Sequence, residues 1–364
     1  MSMTAISQEL QQSNVRRLED IQNFAPNLYI RRTPGIASGA AISIRDVYSS
    51  EWDKSFDPAI GVVMDGMFLG TASGVLLQNF DVERIEVLRG PQGTLFGKNT
   101  TGGLINIIRG PVTMEWGADV DVTLGQDGRE DFKAVVNMPI IENALGLKLF
   151  GASIQSDGYI KNTTLDRDVG GDDIQNYGFA ALWKPTDNLD VKFHYEKFKD
   201  DSEQGAYHNL NQPGDLNCVL ETIGLEPGGC GSSSLDDEDH NFANGTNFSN
   251  NDYDTFIVTA NYQFENFLLT YIGSSRDMDE NNMQHLDGSP SNFLTMDFFN
   301  EWHQKSHELR VTSQLGENVD IIAGLYLWDV EYEQRWDVGG LHYQLSRIGV
   351  WPFPMTPTSL NSNG

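Results

Sequence analysis

The stretch Val82–Gly110, VERIEVLRGPQGTLFGKNTTGGLINIIRG, constrains this chain more than any other. It opens on a short alternating strand, with Ile85 and Val87 on one face and Arg84 and Glu86 on the other. It closes on an apolar strand from Leu104 to Ile108. Between them Gly90, Gly93, Gly97, Gly102 and Gly103, with Pro91, are too dense for a helix or a ladder strand. Glycine permits positive φ and close backbone approach, so a compact looped crossover pressed against a neighbour is expected. A phosphate cradle is one alternative, since Gly97-Lys98 follows a strand. Its spacing fails: a Walker A motif needs glycine where this chain has Gln92, and Asn99 replaces the Mg-binding Ser or Thr. A tight turn in an unrelated α+β domain is another.

A third reading accounts for more of the residues. The stretch resembles, nearly residue for residue, the plug of TonB-dependent outer-membrane receptors. There a (V/I)ERIEVLRGP segment precedes a G-x-x-(F/Y)-G-x-x-x-x-G-G-x-I-N pattern. Glu83, Arg84, Glu86, Arg89, Gly90, Pro91, Gly93, Phe96, Gly97, Gly102, Gly103 and Asn106 all fit it. The resemblance extends upstream through APNLYIRR, ISIRDV and PAIGVVMDGMF, with one departure: Arg45-Asp46 stands where the family usually has Arg-Gly. It implies an α+β plug domain followed by antiparallel transmembrane β-barrel strands, in the bacterial outer membrane.

Taken on its residues alone, the region 1–111 is an ordinary α+β domain. Ser7 ahead of QEL, then Val15, Leu18 and Ile21 at helical spacing, predicts one or two short helices ending at Pro26. Leu28–Ile30, Ala41–Val47 and Ile60–Gly66 read as strands, and Asp65-Gly66 is a hairpin turn signal. With the two strands of the opening stretch this makes a small mixed sheet with helices on one side. Two polar, aromatic, irregular segments remain, Tyr48–Pro58 and Phe68–Gly74. In the resembling family such loops rise toward the external mouth and touch the solute, which selects Tyr48, Trp52, Lys54, Phe56, Phe68 and Thr71 as solute contacts.

From 112 to 364 the hydropathy period is two. Nine segments carry it: Gly117–Gly125, Asp131–Met138, Leu145–Ile154, Ile174–Lys184, Leu189–Phe198, Tyr253–Phe264, Phe267–Arg276, Ser306–Leu315 and Val319–Glu331. Membrane barrel strands need about 9–11 residues of this pattern. Short connections such as Glu265–Asn266 alternate with long ones such as Lys199–Asp252, the asymmetry of an outer-membrane barrel. A lipocalin-like soluble barrel has about eight strands and no place for such a loop. Trp116, Trp183, Tyr195, Phe264, Phe267, Trp328 and Tyr332 lie near strand ends and suit interfacial girdles. Along Ser306–Leu315 the alternation turns Glu308, Arg310, Thr312 and Gln314 into the lumen. The family buries plug arginines against barrel glutamates, so Arg89 and Glu308 are the expected plug–barrel pair.

Charge and cysteines limit the functions further. Lys+Arg 24 against Asp+Glu 52 gives a net charge of −28, which disfavours nucleic acid as a partner. No apolar run reaches the roughly 18 residues of a transmembrane helix. Cys218 and Cys230 share one loop-like segment without a metal-ligand neighbour, so a local disulfide is expected and no metal site. The acidic run Asp236–Asp239 lacks calcium-loop spacing and reads as a hydrated loop. No nucleophile–base set appears, so an enzyme is not expected, and no cofactor is implied.

Plugged single-chain transporters have about 22 strands, and nine cannot close around a plug. Met1–Leu10 also lacks the basic and apolar regions of a signal peptide. The expectation is thus a fragment, a trimmed chain, or half of a split barrel completed by a second chain. The resemblance implies an importer of a scarce solute such as a ferric siderophore, the plug gating the lumen, with a TonB-type energy-coupling protein and outer-membrane lipid as partners. The alternative is a non-transporting surface binding protein or an inactive receptor remnant. The sequence does not choose the solute.

Overall fold

The computed structural model describes residues 2–6, 17–33, 36–49, 53–71, 73–74, 80–203, 207, 209, 213–222, 224, 230, 240–241, 245, 247–290, 294–315, 319–340 and 359–360. The N-terminal body contains β1 (Ser2–Ile6), β2 (Leu28–Thr33), β3 (Ile36–Ile44), β4 (Val47–Ser49), β5 (Ile60–Met64), β6 (Met67–Phe68), β7 (Val82–Arg89) and β8 (Gly103–Arg109). These form two sheets where one was expected. A five-stranded sheet runs β1-β7-β8-β5-β6, with β5 and β8 parallel and the other pairs antiparallel. Strands β2-β3-β4 close separately as an antiparallel meander. The cause is local: Arg45 and Asp46 both take positive φ, 52° and 63°, and the resulting tight hairpin returns β4 onto β3.

Helix is scarcer than the spacing predicts. Leu18–Asn23 is a 3-10 helix, and part of the expected helical region, residues 7–16, lies outside the described residues. The glycine-rich connection carries a single turn, Gly93–Phe96, and is otherwise the expected looped crossover. Gly90 N–H bonds to Gly102 O and Gln92 N–H to Thr100 O, folding the loop on itself. A Cβ on Gly102 would lie 2.5 Å from Ile60 Cδ1 and 2.6 Å from Val47 Cγ1, so the two sheets meet there at glycine distance.

The rest of the chain is a wall. After β9 (Gly117–Leu124), β10 (Glu130–Ile141) and β11 (Leu145–Gln155) comes a small hairpin, β12 (Ile160–Asn162) with β13 (Arg167–Val169). Then follow β14 (Asp173–Thr186), β15 (Leu189–Asp200), β16 (His240–Asn241), β17 (Phe248–Gln263), β18 (Phe267–His285), β19 (Thr295–Leu315), β20 (Val319–Gly339) and β21 (Ser359–Leu360). Strands β9, β10, β11, β14, β15, β17, β18, β19, β20 and β21 pair antiparallel in chain order as one sheet; β12, β13 and β16 form a separate small one. All nine expected wall segments are present. Strands β17 to β20 run further than the sequence pattern indicates, because past the lipid band the outer face also turns polar while the backbone ladder continues.

Alternation divides the wall cleanly. Val120, Val122, Phe132, Leu149, Phe179, Leu309, Leu325 and Leu327 stand exposed on the outer face, Leu325 at 73%. A contiguous apolar face of this extent is a lipid face. Trp116 and Trp183 share that exposure, as the girdle reading predicts. Trp328 and Tyr332 do not: they share the inward parity of Trp302, against which Tyr332 stacks at 5.6 Å. The inner face receives the body. Wall residues Ile257 and Ile272 belong to the same buried cluster as Ile21, Ile44, Ile60, Val87 and Ile105 of the two sheets.

Candidate functional site

The seam between body and wall gathers several of the buried charges, Lys54, Arg109, Lys148, Glu196 and Glu280 among them. It begins at the β5–β6 turn, where Asp65 and Gly66 both have positive φ and direct residues 67–71 at the wall. Phe68 meets Trp328 edge-on at 5.7 Å. Gly70 passes so close that a Cβ would lie 2.6 Å from Trp328 and 2.9 Å from Trp302. Gln304 of β19 fixes the backbone from both sides: Gly70 N–H donates to its Oε1 at 3.1 Å, and its Nε2 donates to Phe68 O at 2.7 Å.

Beyond this contact, toward the long loops, Lys54 crosses into the wall. Its Nζ donates to Glu280 Oε2 at 2.9 Å and to Ser73 and Thr71, and its backbone N–H reaches Gln334 Oε1. Glu280 also accepts from Tyr253 Oη at 2.7 Å and Asn300 Nδ2 at 3.0 Å, so both charges are buried with their hydrogen-bonding capacity occupied. Burial pushes the Lys54 ammonium below its ordinary value, and the Glu280 carboxylate opposes that shift.

Two more pairs cross the seam nearer the short turns. Arg109, the last residue of β8, binds Glu196 of β15, which also accepts from Asn176 Nδ2 at 2.7 Å. Lys148 of β11 donates to Asp81 and to Gly110 O. Burial pushes the Asp81 carboxyl above its ordinary value, with Lys148 acting against it. On the long-loop side Arg17 chelates Asp172 at 2.8 and 2.9 Å, and Arg129 joins the same carboxylate at 3.2 Å. The body is therefore held at three levels of the wall and at its rim.

The structure sorts the expected solute contacts into two groups. Lys54, Phe68 and Thr71 are buried in the seam. Tyr48 and Phe56 are exposed, at 62% and 59%. Trp52 lies outside the described residues. The expected pair of Arg89 with Glu308 is replaced by other contacts. Arg89 turns into the body, donating to Pro26 O at 3.0 Å and Thr4 Oγ1 at 2.6 Å. Glu308 faces inward as its parity requires but pairs with Arg310 two residues along its own strand, at 3.2 Å. Arg89 ends β7 beside β1, so its side chain is committed before it could reach β19.

The motif's own charges are structural within the body: Arg84 bridges Glu83 and Glu86, and Asn106 donates to Glu86 at 2.9 Å. Cys218 and Cys230 form the expected disulfide. The run Asp236–Asp239 lies outside the described residues. Among the described residues no group of three or more metal-ligating side chains is assembled. The sequence reading misses Arg109, Glu196, Lys148, Asp81 and Glu280, though Lys148 and Glu196 share a visible signal: each is a charge at an inward position of an alternating strand, whereas Glu280 lies past the alternation read over Phe267–Arg276.

A cavity of about 1090 Å³ opens between the Gly93–Lys98 loop, the β5–β6 turn and the inner faces of β18 to β20. Lys98 caps it, its Nζ 4.9 Å from the Trp328 ring centre.

Comparison with known proteins bears on both parts. Residues 1–104 match the family model described as TonB-dependent Receptor Plug Domain. The pesticin receptor of Yersinia enterocolitica is 24% identical over 335 residues, covering 90% of this chain and 45% of the receptor. A vitamin B12 transporter of Vibrio vulnificus is 26% identical over 186 residues, 50% of this chain and 28% of the transporter. Among solved structures, the ferric yersiniabactin uptake receptor of Yersinia pestis superimposes with a TM-score of 0.77 at 21% identity, covering 93% of this chain and 50% of the receptor. The ferripyoverdine receptor of Pseudomonas aeruginosa gives 0.69 at 12% identity, over 92% and 43%. The chain thus spans about half the length, or less, of the relatives it matches.

Proposed function

Because this chain belongs to the TonB-dependent outer-membrane receptors, with their plug ahead of outer-membrane β-barrel strands, we propose that it serves the import of a scarce solute, a ferric siderophore or similar chelate. In this reading residues 1–111 are the plug and residues 112–364 the opening part of the barrel that it gates. One observation supports gating most directly: buried ion pairs with occupied hydrogen bonds, Lys54–Glu280 and Arg109–Glu196, hold the plug against the lumen wall. Such pairs add little net stability but fix one register strongly, because separating either leaves a buried charge alone. A plug held this way stays seated until something with differential affinity for a second state acts on it. A TonB-type energy-coupling protein pulling from the periplasmic side is that agent.

Tyr48 and Phe56 are the solute contacts we retain, since both are exposed while Lys54, Phe68 and Thr71 are engaged with the wall. Named solutes of the related receptors, ferric yersiniabactin and ferripyoverdine, make iron chelates the first class to test. The test is uptake of labelled iron presented as a panel of ferric siderophores. The cells carry the complete receptor as their sole such receptor, with and without the energy-coupling protein. Energy-dependent uptake of one chelate is expected. Binding without uptake would replace import with a surface-binding role, and neither binding nor uptake of any chelate would overturn the proposal.

A further inference from the structure

Beside the Lys54–Glu280 pair stands a cation that the seated plug leaves half-used. Arg276 points inward from β18, and its side chain is among the largest fully buried ones in the molecule. Its Nη2 donates to Gly74 O of the plug at 2.9 Å, while its Nε and Nη1 have no hydrogen-bond partner among the described residues. A buried guanidinium with unmade hydrogen bonds destabilises the state that contains it. Tyr253 lies between Arg276 and Glu280. The guanidinium carbon sits 5.4 Å from the Tyr253 ring centre, and the Tyr253 hydroxyl bonds Glu280 at 2.7 Å.

Arg276 and Glu280 are two inward positions apart on one strand, so their Cα atoms are separated by about 13 Å of extended chain. Extended arginine and glutamate side chains together cover that span. Meanwhile, among the described residues, the plug's hydrogen bonds at this site come from Lys54, Thr71, Ser73 and Gly74. If those residues withdraw, Glu280 loses its ammonium and Arg276 loses its carbonyl acceptor at the same moment.

We propose that Arg276 is the exchange partner of Glu280: when the plug segment leaves the wall, the freed guanidinium swings past Tyr253 and pairs with the carboxylate that Lys54 has vacated. The wall then carries its own counter-charge, and release does not strand a buried carboxylate. Arg276 acts in one direction on both states. It burdens the seated plug through its unmade hydrogen bonds and stabilises the released plug through the new pair. This inference rests on the plug moving relative to the wall, but its test reads an equilibrium in the protein itself and needs no solute or transport.

The readout is hydrogen exchange at the Gly70 amide, which bonds to Gln304 across the seam and exchanges only when that contact opens. In the full chain, Arg276→Met should slow Gly70 exchange about tenfold, because opening then strands Glu280. In a Glu280→Gln background the same substitution should slow exchange by clearly less than tenfold, since relief of the unmade hydrogen bonds remains but no carboxylate is left to receive the guanidinium. Ladder amides of β18 and β19 report whether the wall is intact, and Arg276→Lys, which keeps a cation, supplies a milder variant if Met perturbs them. Unchanged or faster Gly70 exchange in Arg276→Met would overturn the proposal. So would an equal slowing in the Glu280→Gln background, which would show that Arg276 acts on the seated state alone.

Discussion

Lys54 of the plug and Glu280 of β18 meet at 2.9 Å with each side chain 1% exposed, 226 residues apart in sequence. Removing one partner leaves the other charged and buried, a loss of about 3–5 kcal/mol, whereas replacing both by apolar groups of similar volume is close to neutral. Lys54→Met should therefore destabilise the seated plug strongly, and Lys54→Met with Glu280→Met should recover most of the loss. Urea titration followed by protease access to the plug measures both. Equal destabilisation by the single and double variants would show that the pair is not what seats the plug.

Arg109 and Glu308 make a second, discriminating comparison. Arg109 bridges plug and wall through a buried carboxylate, while Glu308 shares a half-exposed pair with Arg310 on its own strand. Arg109→Met should cost about 3–5 kcal/mol and Glu308→Gln less than about 1 kcal/mol. The same urea titration distinguishes them. A large loss from Glu308→Gln would return that residue to a role in seating the plug.

How much of this was legible in the chain follows from which forces are local. The glycine-rich crossover, the two flanking strands and the nine wall segments announce themselves because turn chemistry and period-two burial act on neighbouring residues. The disulfide was legible because two cysteines in one loop have few other uses. The ionic partners were not, since an inward charge says only that it faces the lumen, and its partner depends on how a separate body docks. Arg89 shows the limit: its motif position is unmistakable, yet its guanidinium goes to Pro26 and Thr4. Likewise Trp328 and Tyr332 sit where girdle residues would, and only strand parity reveals that they face the plug.

Gly70 is a steric prediction. A Cβ there would stand 2.6 Å from Trp328 Cζ2 and 2.9 Å from Trp302 Cζ2, closer than atoms approach without displacement. Gly70→Ala should cost about 1–3 kcal/mol through overpacking against two indoles, one of them the buried Trp302. The melting temperature should fall, and Trp328→Phe in the same chain should recover part of it. A neutral Gly70→Ala would mean that the segment from Phe68 to Gly70 rides further from the wall than the contact distances imply.

Asp46 occupies the left-handed region at φ 63°, where the family usually places glycine. Aspartate tolerates that conformation better than alanine but less well than glycine. Asp46→Gly should change stability by no more than about 1 kcal/mol, and Asp46→Ala should destabilise by about 1–2 kcal/mol. Thermal denaturation of the two variants checks the order. If alanine proves as stable as glycine, the hairpin between β3 and β4 is not set by this dihedral.

The Cys218–Cys230 disulfide closes a short loop outside the wall, tying the helix Leu216–Thr222 to the residues that follow it. A loop of this length is constrained by about 3 kcal/mol in the chain-entropy view of disulfides, and that constraint acts on the loop rather than on the sheet. Reduction, or Cys218→Ala with Cys230→Ala, should speed proteolysis between β15 and β17 while the amides of β15, β17 and β18 keep their protection. Ser249 N–H bonds to Ser202 O at the base of this connection, so the two strands are already joined below the disulfide. Loss of protection in β17 on reduction would therefore mean that the loop, and not the backbone ladder, positions that strand.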